Sequence, residues 1–181
     1  VCVGIGAWVS TGVRCKGEDA EGVIGGIDFL RKVVRNETID LGKNVAIVGG
    51  GNTAMDACRT AVRLGADKVY NIYRRTKDEM PADMLEIEEA EEEGVIFLNL
   101  TNPLEIISDE NGHCRQMVLQ VMELGEPDAS GRRAPIPVEG KTETIDVDTV
   151  ILAIGQRVNA EGIEGAELTR KGGLVYDKDT F

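Results

Sequence analysis

Aromatic residues make up only 4% of these 181 residues, and histidine occurs once. A core therefore has to be built from Val, Ile, Leu and Ala. Chemistry that needs a histidine has one candidate, His113, beside an Asn-Gly turn where a general base has little support. No Ser/His/Asp or Cys/His set can be assembled. The four cysteines, Cys2, Cys15, Cys58 and Cys114, stand far apart without a C-x-x-C pair. That spacing speaks against a disulfide framework, a zinc site and iron–sulfur ligation, and reduced thiols fit a cytoplasmic protein. No apolar run approaches the ~20 residues of a membrane span. Basic residues number 20 against 32 acidic ones, a net charge of −12, which leaves no basic face for nucleic acid. The chain also lacks an initiator Met. It starts inside an apolar segment, VCVGIGAW, and reads as a piece of a longer protein.

What is present is an ordinary globular apolar fraction, 42%, and 22 glycines, most of them at the ends of apolar runs. VCVGI (1–5) reads as a buried strand ending at Gly6, followed by a polar loop to Gly22. Ile27, Leu30, Val33 and Val34 recur at helical spacing and predict a helix over 24–36. VAIVGGG is apolar on both faces, as a central parallel strand is. Ala54, Ala57, Cys58, Ala61 and Leu64 mark one face of the next helix, with Gly65 at its left-handed cap. KVYNIY (68–73) is a second strand. Pro81 suits the first position of an acidic helix running to Glu93 and closed by Gly94, and VIFL (95–98) is a third strand. Strand–helix–strand–helix–strand with short connections predicts a right-handed, doubly wound α/β unit.

Beyond Pro103 the period changes to two. LEIIS, DENG and MVLQVMEL predict an antiparallel hairpin, and residues 125–140, rich in Gly and Pro, a flexible loop. ETIDVDTVILAIG returns through a buried strand, and GGLVYDKDTF ends without a closing element.

Gly49-Gly50-Gly51-Asn52-Thr53-Ala54 fits G-x-G-x-x-(G/A). Gly49 permits the tight turn out of the strand, Gly51 lets the backbone approach a pyrophosphate, and Ala54 keeps helix and strand close. The phosphates would lie over free N–H groups at the helix N-terminus. Glycines alone also fit a plain strand-to-helix turn. The dinucleotide reading requires a strand before, an amphipathic helix after and a second strand beyond, and all three are predicted. In such a unit the end of the second strand faces the adenosine ribose. A carboxylate there selects NAD, and arginine accommodates the 2′-phosphate of NADP. This strand ends in Arg74-Arg75, whose planar forks can engage phosphate, so NADPH is expected. The alternative is a solvated pair balancing Asp78 and Glu79. The fold class is thus α/β, a Rossmann-like doubly wound parallel sheet with an added antiparallel hairpin or meander, as one NAD(P)H-binding domain over 1–181. VGIGA (3–7) and LAIGQ (152–156) echo each other near opposite ends. They suit a domain inserted in a larger one, with 1–15 and 150–181 as crossover segments.

These residues carry a resemblance. VGIGA, KGEDAEGVIGGIDFLR (16–31), VAIVGGGNTAMDACRTAVRLGA (45–66), YRRTKDEMPA (73–82) and DTVILAIGQ (148–156) resemble the NADPH-binding domain of the glutamate synthase small (β) subunit family. Related domains are those of dihydropyrimidine dehydrogenase and NADH-dependent ferredoxin:NADP oxidoreductase. The resemblance implies a flavoprotein with the NADPH domain inserted in an FAD domain. It implies hydride transfer from NADPH to FAD, iron–sulfur clusters in the parent protein, and a large glutamate synthase-like subunit as partner. Carried over, Gly49, Gly50, Gly51, Asn52, Thr53 and Ala54 hold the pyrophosphate, and Arg74 and Arg75 the 2′-phosphate. Gly6, Ala7, Ile154, Gly155 and Gln156 lie at the crossover near both cofactors. The family's glycine motif for FAD, its cysteine-rich segment and its final Gly-Asp motif are not within these residues. FAD is therefore expected to bind mostly outside this chain, which alone is not expected to turn over. No catalytic side chain and no metal ligand is expected. The acceptor is open, with ferredoxin, a pyrimidine or a disulfide as alternatives, as is a non-catalytic nucleotide-binding module. The acidic run EIEEAEEE (86–93) reads as a solvated face or a docking face for a cationic partner. Asp56 reads as a capping or packing residue or a cofactor contact.

Overall fold

The computed structural model describes residues 4–127, 129, 131–163, 165, 167–169 and 172–176. Ten strands and three α-helices follow in order. They are β1 Val9–Ser10, β2 Val23–Gly25, α1 Gly26–Val34, β3 Asn44–Val48, α2 Asn52–Arg63, β4 Lys68–Tyr73, α3 Met84–Glu92, β5 Ile96–Asn99, β6 Thr101–Ser108, β7 Cys114–Pro127, β8 Arg133–Asp146, β9 Thr149–Leu152 and β10 Gln156–Arg157.

Five strands form a wholly parallel sheet in the order β2-β9-β3-β4-β5. β3 sits at its centre, and both of its faces are covered. Val45 and Ile47 turn toward Phe29 of α1, Ala54, Met55 and Ala61 of α2, and Ile87 and Ala90 of α3. Ala46 and Val48 turn the other way, onto Ile106, Met117 and Leu119 of a three-stranded antiparallel sheet, β6-β7-β8. Double coverage explains why this strand reads as one continuous apolar run. Burying each Val or Ile stabilises the fold by about 1.5–3 kcal/mol.

Helix ends follow their local chemistry. Past α2, Ala66 N donates to Ala61 O and Gly65 N to Val62 O, with Gly65 at φ 94°, the paired bonds of a Schellman cap. Gly94 closes α3 in the same way. The start of α3 lies later than Pro81 predicts. Thr76 and Glu79 form a capping box on a single 3-10 turn, Lys77–Glu79, and Asp83 then caps α3 by accepting from Leu85 N.

Four further expectations are corrected. Gly4 and Ile5 are exposed and in no strand, and residues 1–3 lie outside the described ones. The first helix, expected from residue 24, begins at Gly26, because Val23–Gly25 pairs with β9. Residues 133–140, expected within a flexible loop, are the first half of β8. They hydrogen-bond to β7 through a register shift between Gln120 and Met122. ETIDVDTVILAIG divides between the end of β8 and β9. The tail residues 177–181 lie outside the described ones.

Nor is the acidic run of α3 a solvated face throughout. Arg59 of α2, 18% exposed, bridges Glu86 at 2.8 Å, Glu89 at 2.5 Å and Glu93 at 2.8 Å, and Arg63 adds a second bond to Glu93. The carboxylates staple α3 to α2. No helix among the described residues is long and apolar enough to cross a membrane.

Candidate functional site

The chain runs β3 to β4 to β5 on one side and returns through β9 on the other, so strand order reverses between β3 and β9. Crevices form outside the carboxyl ends of parallel strands at such a reversal. Here the crevice is a groove of about 640 Å³. The turn from β3 into α2, the end of β4 and the residues after β9 line it, and Thr101–Pro103 with Pro81 cover it.

The three glycines of the turn have different reasons to be glycine. Gly49 has φ 143°, and a Cβ there would stand 2.3 Å from the carbonyl oxygen of Ala153. It lets β3 and β9 converge. A Cβ on Gly50 would meet the Tyr73 ring at 2.6 Å. Gly51 has ordinary extended angles and nothing within 4 Å of an added Cβ, so the space there is open. Gly51 is also the N-cap of α2, with no side-chain cap and no acidic residue in the first turn. An uncapped helix N-terminus on open space, free of carboxylates, fits an anion.

The turn is held from beneath by a residue that the motif does not include. Asn71 of β4 is fully buried, and its Nδ2 donates to Gly49 O at 2.8 Å and lies 3.7 Å from Cys58 Sγ. A lone amide inside the apolar run KVYNIY was the available signal. Burial pushes the Cys58 thiol up to about 12, which leaves it an inert core group. From above, Ala82 N donates to Gly50 O, and Tyr73 Oη donates to Glu79 O.

Most of the expected residues come together. Gly49, Gly50, Gly51, Asn52, Thr53, Arg74, Arg75, Ile154, Gly155 and Gln156 all line the groove. Ala54 lies fully buried behind it, packing helix on strand. Asn52 Oδ1 accepts from Asp83 N, so this side chain also joins the starts of α2 and α3. Gln156 Nε2 lies 3.5 Å from Thr53 Oγ1 across the groove. Gly6 and Ala7 are exposed and outside the lining. Asp56 is exposed, one turn into α2, and also outside it.

The two arginines differ. Arg74 is exposed at the rim, whereas Arg75 is 3% exposed and its Nε donates to Arg133 O at 2.6 Å. The groove therefore carries N–H groups at one end and guanidinium at the other. His113 lies elsewhere, with Nε2 3.1 Å from Glu21 Oε2. Among the described residues, no group of three His, Cys, Asp or Glu side chains could hold a metal.

The crossover segments meet. β1 pairs antiparallel with β10, Val9 opposite Arg157 and Ser10 opposite Gln156, and Thr11 N donates to Gly155 O. Nearby, Trp8 stacks on Arg31 at 5.7 Å and remains 45% exposed.

A family model described as pyridine nucleotide-disulphide oxidoreductase matches residues 1–180. The NADP(+)-dependent formate dehydrogenase subunit beta of Moorella thermoacetica is 42% identical over 100% of this chain and 26% of its own length. The NADPH-Fe(3+) oxidoreductase subunit beta of Geobacter sulfurreducens is 47% identical over 83% of this chain and 23% of its own length. The NADPH glutamate synthase small chain of Escherichia coli is 39% identical over 87% and 36%. The chain thus spans between 23% and 36% of the length of these relatives. Among solved structures, FprA, a Mycobacterium tuberculosis oxidoreductase, matches with a TM-score of 0.78 over 96% of this chain and 53% of its own, at 19% identity. Thioredoxin reductase of T. acidophilum matches at 0.67 over 94% and 49%, at 15% identity. These likenesses are of fold.

Proposed function

We propose, from the premise that this chain belongs to the pyridine nucleotide-disulphide oxidoreductase family, that it is the NADPH-holding domain of a flavin-dependent oxidoreductase. One observation carries the reading. A single groove joins the uncapped, carboxylate-free start of α2 to the arginine-bearing end of β4. The N–H groups of the Gly51–Thr53 turn receive the pyrophosphate, and open space at Gly51 lets it approach. Arg74 and Arg75, at the other end, receive the 2′-phosphate. Asn71 and Tyr73 hold the glycine turn in place, and Gly155 and Gln156 close the side toward β10. NADPH bound here would supply a hydride to FAD, which would be held mostly by the rest of the parent protein, as would the iron–sulfur clusters that the family resemblance implies. Gly6 and Ala7 lie on the approach to β1 and face that flavin domain.

The names of these three relatives each carry NADP or NADPH, while the remainder of each name differs: formate dehydrogenase, Fe(3+) oxidoreductase, glutamate synthase. That pattern supports a shared NADPH half whose acceptor is decided outside these residues. A glutamate synthase small-subunit role is one form of this reading. The higher identity to the formate dehydrogenase and Fe(3+) oxidoreductase subunits favours a different acceptor as the second.

Calorimetric titration of the chain with NADPH and NADH tests the proposal. NADPH is expected to bind more tightly, and Arg74→Ala with Arg75→Ala to remove the preference, with a thermal melt confirming that the buried Arg75 site still folds. Equal affinity of the unaltered chain for both nucleotides would refute the cofactor assignment.

A further inference from the structure

We propose that Asn102, on β6, is a specificity-determining residue of the groove that reads the edge of the adenine base. The inference rests on the dinucleotide reading above. Two backbone devices put this residue at the groove. Leu100, the single residue between β5 and β6, has φ 54°, a left-handed conformation that leucine rarely adopts. Its N–H donates to Arg75 O at 3.0 Å, and its carbonyl accepts from Met122 N at 2.7 Å. The chain thus turns from the parallel sheet into the antiparallel one directly beside the end of β4. On the other side of Asn102, the pairing of β6 with β7 shifts register between Pro103 and Glu105. Such irregularities re-aim side chains next to binding sites. Between the two, Thr101, Asn102 and Pro103 line the groove.

The end of β4 faces the adenosine ribose in this topology, and the base hangs from that same ribose. A purine needs apolar surface for its ring faces and polar partners for its edge. Val13, Ile72 and Pro103 supply apolar lining here, Val13 packing against the cluster that contains Ile72. Thr101 is 5% exposed and its Oγ1 donates to Leu98 O at 2.6 Å, so its hydroxyl is committed to the backbone. Asn102 is half-buried, and its Nδ2 donates to Pro103 O at 3.2 Å. That bond fixes which end of the amide is oxygen, and nothing among the described residues donates to Oδ1. An open amide oxygen beside a second N–H complements adenine, whose edge sets an N6–H donor next to a ring-nitrogen acceptor. Hypoxanthine carries a carbonyl in place of that amine and would set oxygen against oxygen. NAD and NADP share the base, so Asn102 selects adenine whichever of the two the arginines favour.

The test is titration of the chain and of Asn102→Ala with NADPH, NADH and the two analogues in which hypoxanthine replaces adenine, with a melt of each protein. The unaltered chain is expected to bind the hypoxanthine forms roughly 10-fold more weakly. Asn102→Ala is expected to weaken NADPH and NADH roughly 3- to 10-fold and to leave the hypoxanthine forms unchanged, which narrows the preference. Asn102 is half-buried and outside both core clusters, so the variant is expected to melt with the unaltered chain. Equal affinity of the unaltered chain for adenine and hypoxanthine forms overturns the proposal without any variant. So does an undiminished preference in Asn102→Ala. Equal affinity for NADPH and NADH refutes the 2′-phosphate assignment alone, and the base comparison still decides this proposal. An unaltered chain that binds none of the four removes the dinucleotide reading itself, and this proposal with it.

Discussion

Replacing Gly49 and Gly51 by alanine, one at a time, separates what the glycine turn does for the fold from what it does for a ligand. At Gly49 the backbone has φ 143°, and the new Cβ would lie 2.3 Å from the oxygen and 2.8 Å from the carbon of the Ala153 carbonyl. Neither partner is a flexible side chain, so strand ends have to separate. Strained backbone costs of order 1–3 kcal/mol, and overpacking about 1–3 kcal/mol. At about 2–4 °C per kcal/mol for a chain of this size, Gly49→Ala should lower Tm by at least about 4 °C. At Gly51 the angles are φ −98° and ψ 174°, with no atom within 4 Å of the added methyl. Its stability should stay within about 1 kcal/mol of the original, a small N-cap loss offsetting a small gain from the unfolded chain. NADPH affinity should nevertheless fall roughly 10- to 100-fold, as N–H bonds to a charged group are lost. Differential scanning calorimetry and isothermal titration on both variants decide the matter. Gly51→Ala binding NADPH as the parent does would refute the placing of the pyrophosphate, and an unshifted Tm for Gly49→Ala would refute the close approach to Ala153.

Two more outcomes follow from groups beneath and beside the site. Asn71→Leu removes the support of the Gly49 carbonyl in a fully buried position and should cost about 1–3 kcal/mol in a urea titration, with weaker NADPH binding. An unchanged midpoint would show that the turn stands without it. Asp148 Oδ2 accepts from Asn44 N and from Lys43 N, both at 2.9 Å, and these bonds, with Arg115 nearby, hold its carboxyl below the usual value of 3.8. Because the folded pKa is the depressed one, its contribution to stability is present above about pH 3.8 and is lost as pH falls through the folded value. Melting temperature measured down to pH 2 should therefore fall more steeply for the parent than for Asp148→Asn, and parallel curves would count against the linkage.

Most of the sheet-and-turn unit was legible because its signals are local. β3 is apolar on both faces, α2 repeats Ala at helical spacing, and Gly65 and Gly94 stand where left-handed caps belong. What escaped depended on partners distant in the chain. β2 is three residues long and exists through its pairing with β9, more than a hundred residues away in sequence. β8 is mostly exposed and interrupted by Pro135, Pro137 and Gly140, so no hydrophobic pattern marks it, and its backbone bonds to β7 decide its state. VGIGA looks buried by composition, yet Gly4 to Ala7 meet no covering layer among the described residues. Thr76-x-x-Glu79 was a readable capping box that competes with Pro81 for the helix start. The glycine turn and both arginines line one groove, but sequence could not tell the exposed Arg74 from the buried Arg75.

The β1·β10 pairing has a topological consequence. Everything from Thr11 to Gly155 hangs between two strand segments that lie side by side, about 4.8 Å apart as paired strands are. The chain thus enters and leaves this unit at one junction, the β1·β10 pair. Gln156 stands on the junction and in the groove at once. Gly155, whose carbonyl accepts from Thr11 N, likewise belongs to both the neck and the groove lining.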